Sequence, residues 1–204
     1  MASEETARSR GRPPKIRKKF LVALWVALFL ALITMFIPWR PNLIVNTLRG
    51  QAKNDAIQLK NGISSYFTEY RRYPIESLPS ESDATVRSNH ELMDILLGSD
   101  STKGPGGLNS RAIPFYFGAK AKPMEDGRFR KGITPNTHGG GELWDPWGNH
   151  YRVIMDTDGD GQVKAPDWFM ESEFIPQGVI VWSPGPDGDD ATAEDNVVSW
   201  SIDA

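Results

Sequence analysis

Leu48 to Tyr70 reads LRGQAKNDAIQLKNGISSYFTEY, and its apolar residues fall at Leu48, Ala52, Ala56, Leu59, Ile63, Tyr66, Phe67 and Tyr70. Steps of three and four repeat at the pitch of an α-helix, so the segment is an amphipathic helix with one stripe to bury. Lys53, Asp55, Lys60 and Glu69 lie away from that stripe. The helix is assigned to residues 42–73 and is expected to end near Tyr73-Pro74, because a residue ahead of proline disfavours helical geometry.

A stripe of this kind needs an apolar sheet or helix to cover it, and the carboxyl-terminal half supplies strands. Tyr151-Arg152-Val153-Ile154-Met155, Gly178-Val179-Ile180-Val181-Trp182 and Val197-Val198-Ser199-Trp200 are rich in β-branched and aromatic residues and are separated by turn-rich acidic loops. An antiparallel meander is the simplest arrangement, with the helix packed on one face. Ser88-Asn89-His90-Glu91 has the form of a capping box ahead of a short helix, Leu92 to Leu97, that stops at Gly98. Between Gly98 and Gly141 only Ile113-Pro114-Phe115-Tyr116-Phe117 reads as a strand, and Pro114 puts it at an edge. The fold class is therefore α+β, and residues 74–204 form one globular domain.

The amino terminus carries a different signal. Phe20 to Trp39 contains no charged residue, and about 20 helical residues span the ~30 Å hydrocarbon layer. A transmembrane helix is expected over 20–39, followed by Pro38 and Pro41 where it kinks or breaks. A cleaved signal peptide is the rival reading, but the run is longer than a signal core and no small-x-small site follows it. The tail 1–19 holds seven basic residues against Glu4 and Glu5, which places it in the cytoplasm and the rest of the chain outside. Arg10-Gly11-Arg12-Pro13-Pro14-Lys15 has the form of an AT-hook core, but the stronger reading is that basic residues just inside a membrane helix set topology and touch anionic lipid, and no nucleic acid is expected as a partner.

Beyond that tail, 16 basic residues face 24 acidic ones, a balance that argues against nucleic acid as a partner of the outer domain. Acidity is concentrated at the end: Glu142 to Ala204 has fourteen acidic residues against Arg152 and Lys164. Within it, Asp156, Asp158 and Asp160 alternate, Gly161 permits a sharp turn, Gln162 offers a carbonyl, and Asp167 closes a twelve-residue frame. This is the ligand spacing of an EF-hand-like calcium loop. The flanks look like strands, Asp167 is shorter than the usual glutamate, and Pro166 suits no exit helix, so a solvated acidic hairpin is the competing reading. Magnesium fits less well because it demands tighter octahedral geometry.

The order of Tyr70-Arg71-Arg72-Tyr73-Pro74, Asp145-Pro146-Trp147-Gly148-Asn149-His150-Tyr151, Trp182-Ser183-Pro184-Gly185-Pro186-Asp187-Gly188 and Glu194-Asp195-Asn196 after a long helix resembles the major, G-type pseudopilins of type II secretion and their type IV pilin-like relatives, over roughly Ala52 to Trp200. The resemblance implies a helix running through the bacterial inner membrane, a small antiparallel sheet over its outer part in the periplasm, and a carboxyl-terminal calcium loop. In that loop it implies Asp187 and Asp195 as carboxylate ligands, with Asn196 or Glu194 and backbone oxygens near Ser183 completing the shell. One or two Ca2+ ions are expected in all. Other pseudopilin-like subunits or secretion-machine proteins are the implied partners. At the front the chain departs from the pattern. Lys19 stands where a glycine precedes the cleavage point, and Leu24 holds the place of the glutamate, so no prepilin cleavage is expected. A membrane-anchored calcium-binding interaction module that does not polymerise is the alternative function.

No enzyme is expected. Zero cysteines exclude disulfides and thiolate chemistry, and there is no nucleotide loop, nucleophile elbow or His-Glu-x-x-His motif. Glycoside hydrolysis needs two acids across a cleft, whereas these acids cluster in turns. His90, His138 and His150 are scattered, and Trp168, Trp182 and Trp200 read as sheet-covering core residues.

Overall fold

Thirty residues of continuous helix, Pro41–Tyr70, dominate the second of the two units into which the chain divides, Met1–Pro41 and Asn42–Ala204. The structure is a computed structural model and describes residues 18–36, 41–76 and 82–200. Nearly all of the basic tail, with its AT-hook-like string, lies outside the described residues.

In the first unit, helix α1 runs over Lys18–Phe36. Phe20, Val22, Leu24, Trp25, Val26, Leu28 and Phe29 are all exposed, so α1 is apolar on every face rather than along one stripe. Among the described residues no helix is long and apolar enough to cross a membrane. The expected 20–39 span runs past the end of α1 into residues 37–40, which are outside the described set.

In the second unit, α2 (Pro41–Tyr70) buries Ala52, Ala56, Leu59, Ile63 and Tyr66 completely, as the spacing predicts. It ends three residues earlier than expected, because Arg71 takes a left-handed conformation (φ 54°) after a last bond from its N–H to the Phe67 carbonyl. Phe67 leaves the core to stack on Tyr73 at 4.6 Å. The other strands and the short helix follow in order: β1 Ala84–Arg87, α3 His90–Leu97, β2 Lys122–Pro123, β3 Phe129–Arg130, β4 Gly132–Pro135, β5 Gly141–Trp144, β6 Arg152–Met155, β7 Val163–Lys164, β8 Phe174–Ile175, β9 Val179–Ser183 and β10 Val197–Val198.

A four-stranded antiparallel sheet in the order β1-β6-β9-β10 forms the centre, and β2-β3, β4-β5 and β7-β8 are two-stranded hairpins. The expected meander is β6-β9-β10. Strand β1 and the three hairpins were not expected: β1 adds to the outer edge of β6 with Ala84 opposite Met155, and β2, β3 and β4 lie in the connection where only 113–117 reads as a strand. Alternation then sorts side chains by face. Tyr151, Val153, Met155, Val179 and Val181 join Ala56, Leu59, Ile63 and Tyr66 of α2 in one core. Ile154, Ile180, Trp182 and Val198 join Val163, Ala165, Ile175 and Trp200 in a second. Trp168 lies 6.0 Å from Trp182 and 6.1 Å from Trp200, so the tryptophans cover the sheet as read from the sequence.

Two expectations are corrected. Residues 113–117 form no strand; the Phe115 N–H instead bonds the Leu96 carbonyl at 2.7 Å, and Asn109, fully buried, holds the loop through Ile95 and Ile113. Ser88 does not cap α3. Asn89 takes the cap position without a side-chain bond, while Ser88 Oγ donates to the Leu143 carbonyl (2.7 Å) and accepts the Tyr151 N–H (2.8 Å).

Close approach of α2 to the 113–117 segment rests on Gly62, where an added Cβ would come within 2.7 Å of the Phe115 carbonyl oxygen, whereas one at Gly50 would meet nothing. Glycine inside a helix ordinarily costs about 0.5–1 kcal/mol relative to alanine. Gly50→Ala is therefore expected to raise stability by about that amount and Gly62→Ala to lower it, as read from urea unfolding of the two variants side by side.

Candidate functional site

The first acidic loop, 156–162, connects β6 to β7, and its geometry comes from the short-range reach of aspartate. Asp156 Oδ1 accepts the Gly159 N–H (2.6 Å) and Oδ2 the Gly161 N–H (2.9 Å), with both glycines at positive φ, while Asp160 accepts from the backbone and side chain of Gln162. Asp158 bonds only the Asp160 N–H, at 3.3 Å. Asp167 is exposed and stands apart from this turn.

The sheet adds a residue the sequence reading missed. Because Ala84 pairs with Met155, the next position outward sets Asp83 beside Asp156. Oxygens of Asp83, Asp156 and Asp158 lie within 4.8 Å of one another, and among the described residues this is the group of three acidic or imidazole side chains that converges so closely. Asp83 Oδ2 accepts the Lys164 N–H at 2.6 Å, but its buried Oδ1 has no partner. Burial pushes the Asp83 carboxyl up from its ordinary pKa, Lys164 draws it down, and Asp158, Asp156 and Asp160 push it up again. Two carboxylates at that separation repel by on the order of 3 kcal/mol at an effective dielectric of about 20. Oxygens alone line the site, which suits a hard cation such as Ca2+. No motif announces Asp83; only strand register brings it there.

The second acidic loop is organised differently. Asp195 pairs with the Arg49 guanidinium of α2 at 3.4 Å, and the same guanidinium donates to the Glu194 carbonyl. Asp187 accepts the Asp189 N–H, and that bond together with one from Thr192 holds its carboxyl below the ordinary range. Asn196 donates to the Asp190 carbonyl at 2.8 Å, leaving its own buried Oδ1 unpaired. Asp190, which the sequence reading passed over, is the loop's anchor: it accepts from Trp182 Nε1 (3.0 Å) and Arg152 Nε (2.9 Å). A guanidinium thus already supplies positive charge at Glu194 and Asp195.

Ser183, near which backbone oxygens were expected to serve the loop, is tied to the Asp145 turn through its side chain. Its hydroxyl donates to Asp145 Oδ2 at 2.6 Å, while Asp145 Oδ1 accepts the N–H groups of Trp147 (2.9 Å), Gly148 (2.7 Å) and Asn149 (2.8 Å). Asn149 Nδ2 then reaches the Gly185 carbonyl at 2.9 Å. The Asp-Pro-Trp-Gly-Asn string is thus a turn, as read, and also a clasp on the strand end that opens the second loop. At Gly185 (φ 78°) a Cβ would lie 2.4 Å from the Asp195 carbonyl oxygen, so only glycine lets the loop close on itself.

No family model matches the chain, and no curated protein matches it in sequence. Among solved structures the chain is similar to the crystal structure of the major pseudopilin from the type 2 secretion system of enterohaemorrhagic Escherichia coli, with a TM-score of 0.36 and 16% sequence identity over 81% of this chain and 97% of that one. Agreement of that degree decides nothing about this chain.

Asp145 is completely buried, and burial pushes its carboxyl pKa up despite the surrounding donors. Asp145→Ala would strand several buried donors and is expected to cost about 2–4 kcal/mol in urea unfolding. Protonation of Asp145 favours the fold; that gain is complete below the ordinary carboxylate pKa and vanishes as pH rises through the elevated folded value. The difference in stability between Asp145→Asn and the parent should therefore change across that window and be flat above it.

Proposed function

We propose that this chain is a membrane-anchored, pilin-like structural subunit or accessory of a type II secretion or type IV pilus-like system, with no enzymatic role. The observation that carries the reading is the long helix α2, its Ala52-to-Tyr66 stripe buried against an antiparallel sheet whose carboxyl-terminal loop is clasped by the Asp145 turn. The landmark strings that resemble G-type pseudopilins fall at the end of α2, on this turn and on this loop. Supporting the anchor are the uncharged run from Phe20 to Trp39 and the apolar faces of α1. In the proposed topology the basic tail is cytoplasmic and the second unit periplasmic.

Calcium belongs to the proposal at the first acidic loop. Asp83, Asp156 and Asp158 would hold it, and the buried, unpartnered Asp83 Oδ1 is the feature that favours an ion there. At the second loop Arg49 takes the place of a cation, so one ion is proposed rather than two. Lys19 and Leu24 at the front favour a static, uncleaved subunit over one drawn into a growing filament. The same two residues favour the second reading, an anchored module that never polymerises.

Carbonate-washed membranes from cells making the full chain should retain it, and protease added to spheroplasts should digest its carboxyl-terminal portion; release by the wash would overturn the anchor. The chain lacks cysteine, so Gln58→Cys and Asn61→Cys on the exposed side of α2 give a clean background for disulfide trapping. Mixed species with other pilin-like subunits are expected, and monomer alone would favour the non-polymerising module. Saturating calcium should stabilise the full chain in detergent by about 2.7 kcal/mol at a hundredfold excess over Kd. Asp156→Asn and Asp158→Asn should abolish the shift, while Asp187→Asn should leave it unchanged.

A further inference from the structure

Side chains from three segments of the second unit approach one another beside β5. His90 opens α3, Glu142 lies in β5, and His150 follows the Asp145 turn. The convergence has a backbone cause. Ser88 and Leu143 exchange bonds, with the Leu143 N–H reaching the Ser88 carbonyl at 2.9 Å and Ser88 Oγ the Leu143 carbonyl, which brings the start of α3 against β5. His150 bridges antiparallel to Trp144, and Glu142, two residues from Trp144, shares its face of the strand.

The carboxylate stands between two imidazoles. His90 Nδ1 is 3.9 Å from Glu142 Oε1, and His150 Nε2 is 3.9 Å from Oε2. Both distances exceed a hydrogen bond. The two imidazoles face opposite oxygens of the carboxylate, and the three donor atoms do not all lie within 4.8 Å of one another, so an ion bound at about 2.0–2.1 Å by each needs the exposed His90 to turn inward. His150 Nε2 is buried without any partner, an orphaned lone pair or N–H that the fold leaves pointed at the carboxylate.

We propose that His90, Glu142 and His150 form a binding site for a divalent transition-metal ion, zinc by preference, distinct from the oxygen-lined calcium loop. Two imidazoles and one carboxylate are borderline donors that suit zinc and its neighbours, whereas calcium takes oxygen ligands. Three protein ligands leave one position for water. His90 is 62% exposed at its side chain and swings inward on binding, while His150, at 19%, is already in place.

The surroundings hold that ring ready. Trp144 packs on it with ring centroids 4.1 Å apart, and Trp144 Nε1 is fixed to Thr134 Oγ1 at 3.0 Å. Burial holds the His150 imidazole below its ordinary pKa, Glu142 opposes that shift, and Arg152, Arg87 and His90 add to it. Arg152 is itself engaged by Asp190 and by the His150 carbonyl. This site stands independently of the proposed function.

The test uses the full chain in detergent, carrying a tag without histidine and stripped with chelator, titrated with zinc chloride by calorimetry and separately with cobalt(II) followed by visible absorption. One zinc equivalent and the intense bands of tetrahedral cobalt are expected. His150→Gln, His90→Gln and Glu142→Gln should each weaken zinc at least about tenfold, since losing even an outer-shell partner costs that much. Each should also erase the cobalt bands, while Asp158→Asn changes neither. His90→Gln, on an exposed side chain, guards against a loss caused by misfolding. Absence of binding, or zinc binding that survives the three variants and disappears in Asp158→Asn, would overturn the proposal.

Discussion

The Asp145 carboxylate, buried and ringed by donors from Trp147, Gly148, Asn149 and Ser183, ties two parts of the chain that the sheet alone would leave loose. It closes the turn ahead of β6 and grips Ser183 at the end of β9, so the turn and the start of the second acidic loop are held by one group. A buried charge is tolerated only when its lone pairs are occupied, and here four separate donors occupy them. With the turn in place, Tyr151 enters the core under α2, and His150 is set against Trp144 and Glu142.

The same economy runs through the acidic carboxyl-terminal third. Fourteen acidic residues there face two basic ones in sequence, yet the fold gives several of them partners. Asp190 meets Arg152 and the Trp182 indole, Asp195 meets Arg49 from α2, and Asp156 and Asp160 turn back onto their own backbone. Asp83, Asp156 and Asp158 nevertheless converge, and Asp83 keeps one buried oxygen without a partner. Charge balance in the tertiary structure therefore distinguishes two loops that look equally acidic as strings.

Much of the architecture was readable from local pattern. The 3.6-residue stripe of α2, the strands of the β6-β9-β10 meander, the left-handed Gly98 that ends α3 and the turn at Asp145 each depend on residues close in sequence, and each took the predicted form. Reading failed where a longer-range partner overrode the local cue. Ser88, placed as a cap, spends its hydroxyl on Leu143 and Tyr151. Ile113 to Phe117 has strand composition but yields its backbone to Leu96 and Asn109. Strand β1, four residues long, is too short to show a period and exists because β6 offers it an edge.

The candidate sites divide in the same way. Alternating aspartates and the glycines that allow their turn are a local property, so the Asp156 to Gln162 loop was legible as a place where oxygens gather. Sequence by itself determined the helices α2 and α3, the strands of the β6-β9-β10 meander and the acidic turns, because periodicity and turn chemistry act over a few residues. Tertiary structure alone decided that Asp83 joins Asp156, that Arg49 takes Asp195, and that His90 and His150 flank Glu142. The meetings of Asp83 with Asp156, Arg49 with Asp195 and His90 with Glu142 are set by strand register and helix packing across separations of 52 to 146 residues, which no local pattern encodes, whereas His150 reaches Glu142 around the Asp145 turn.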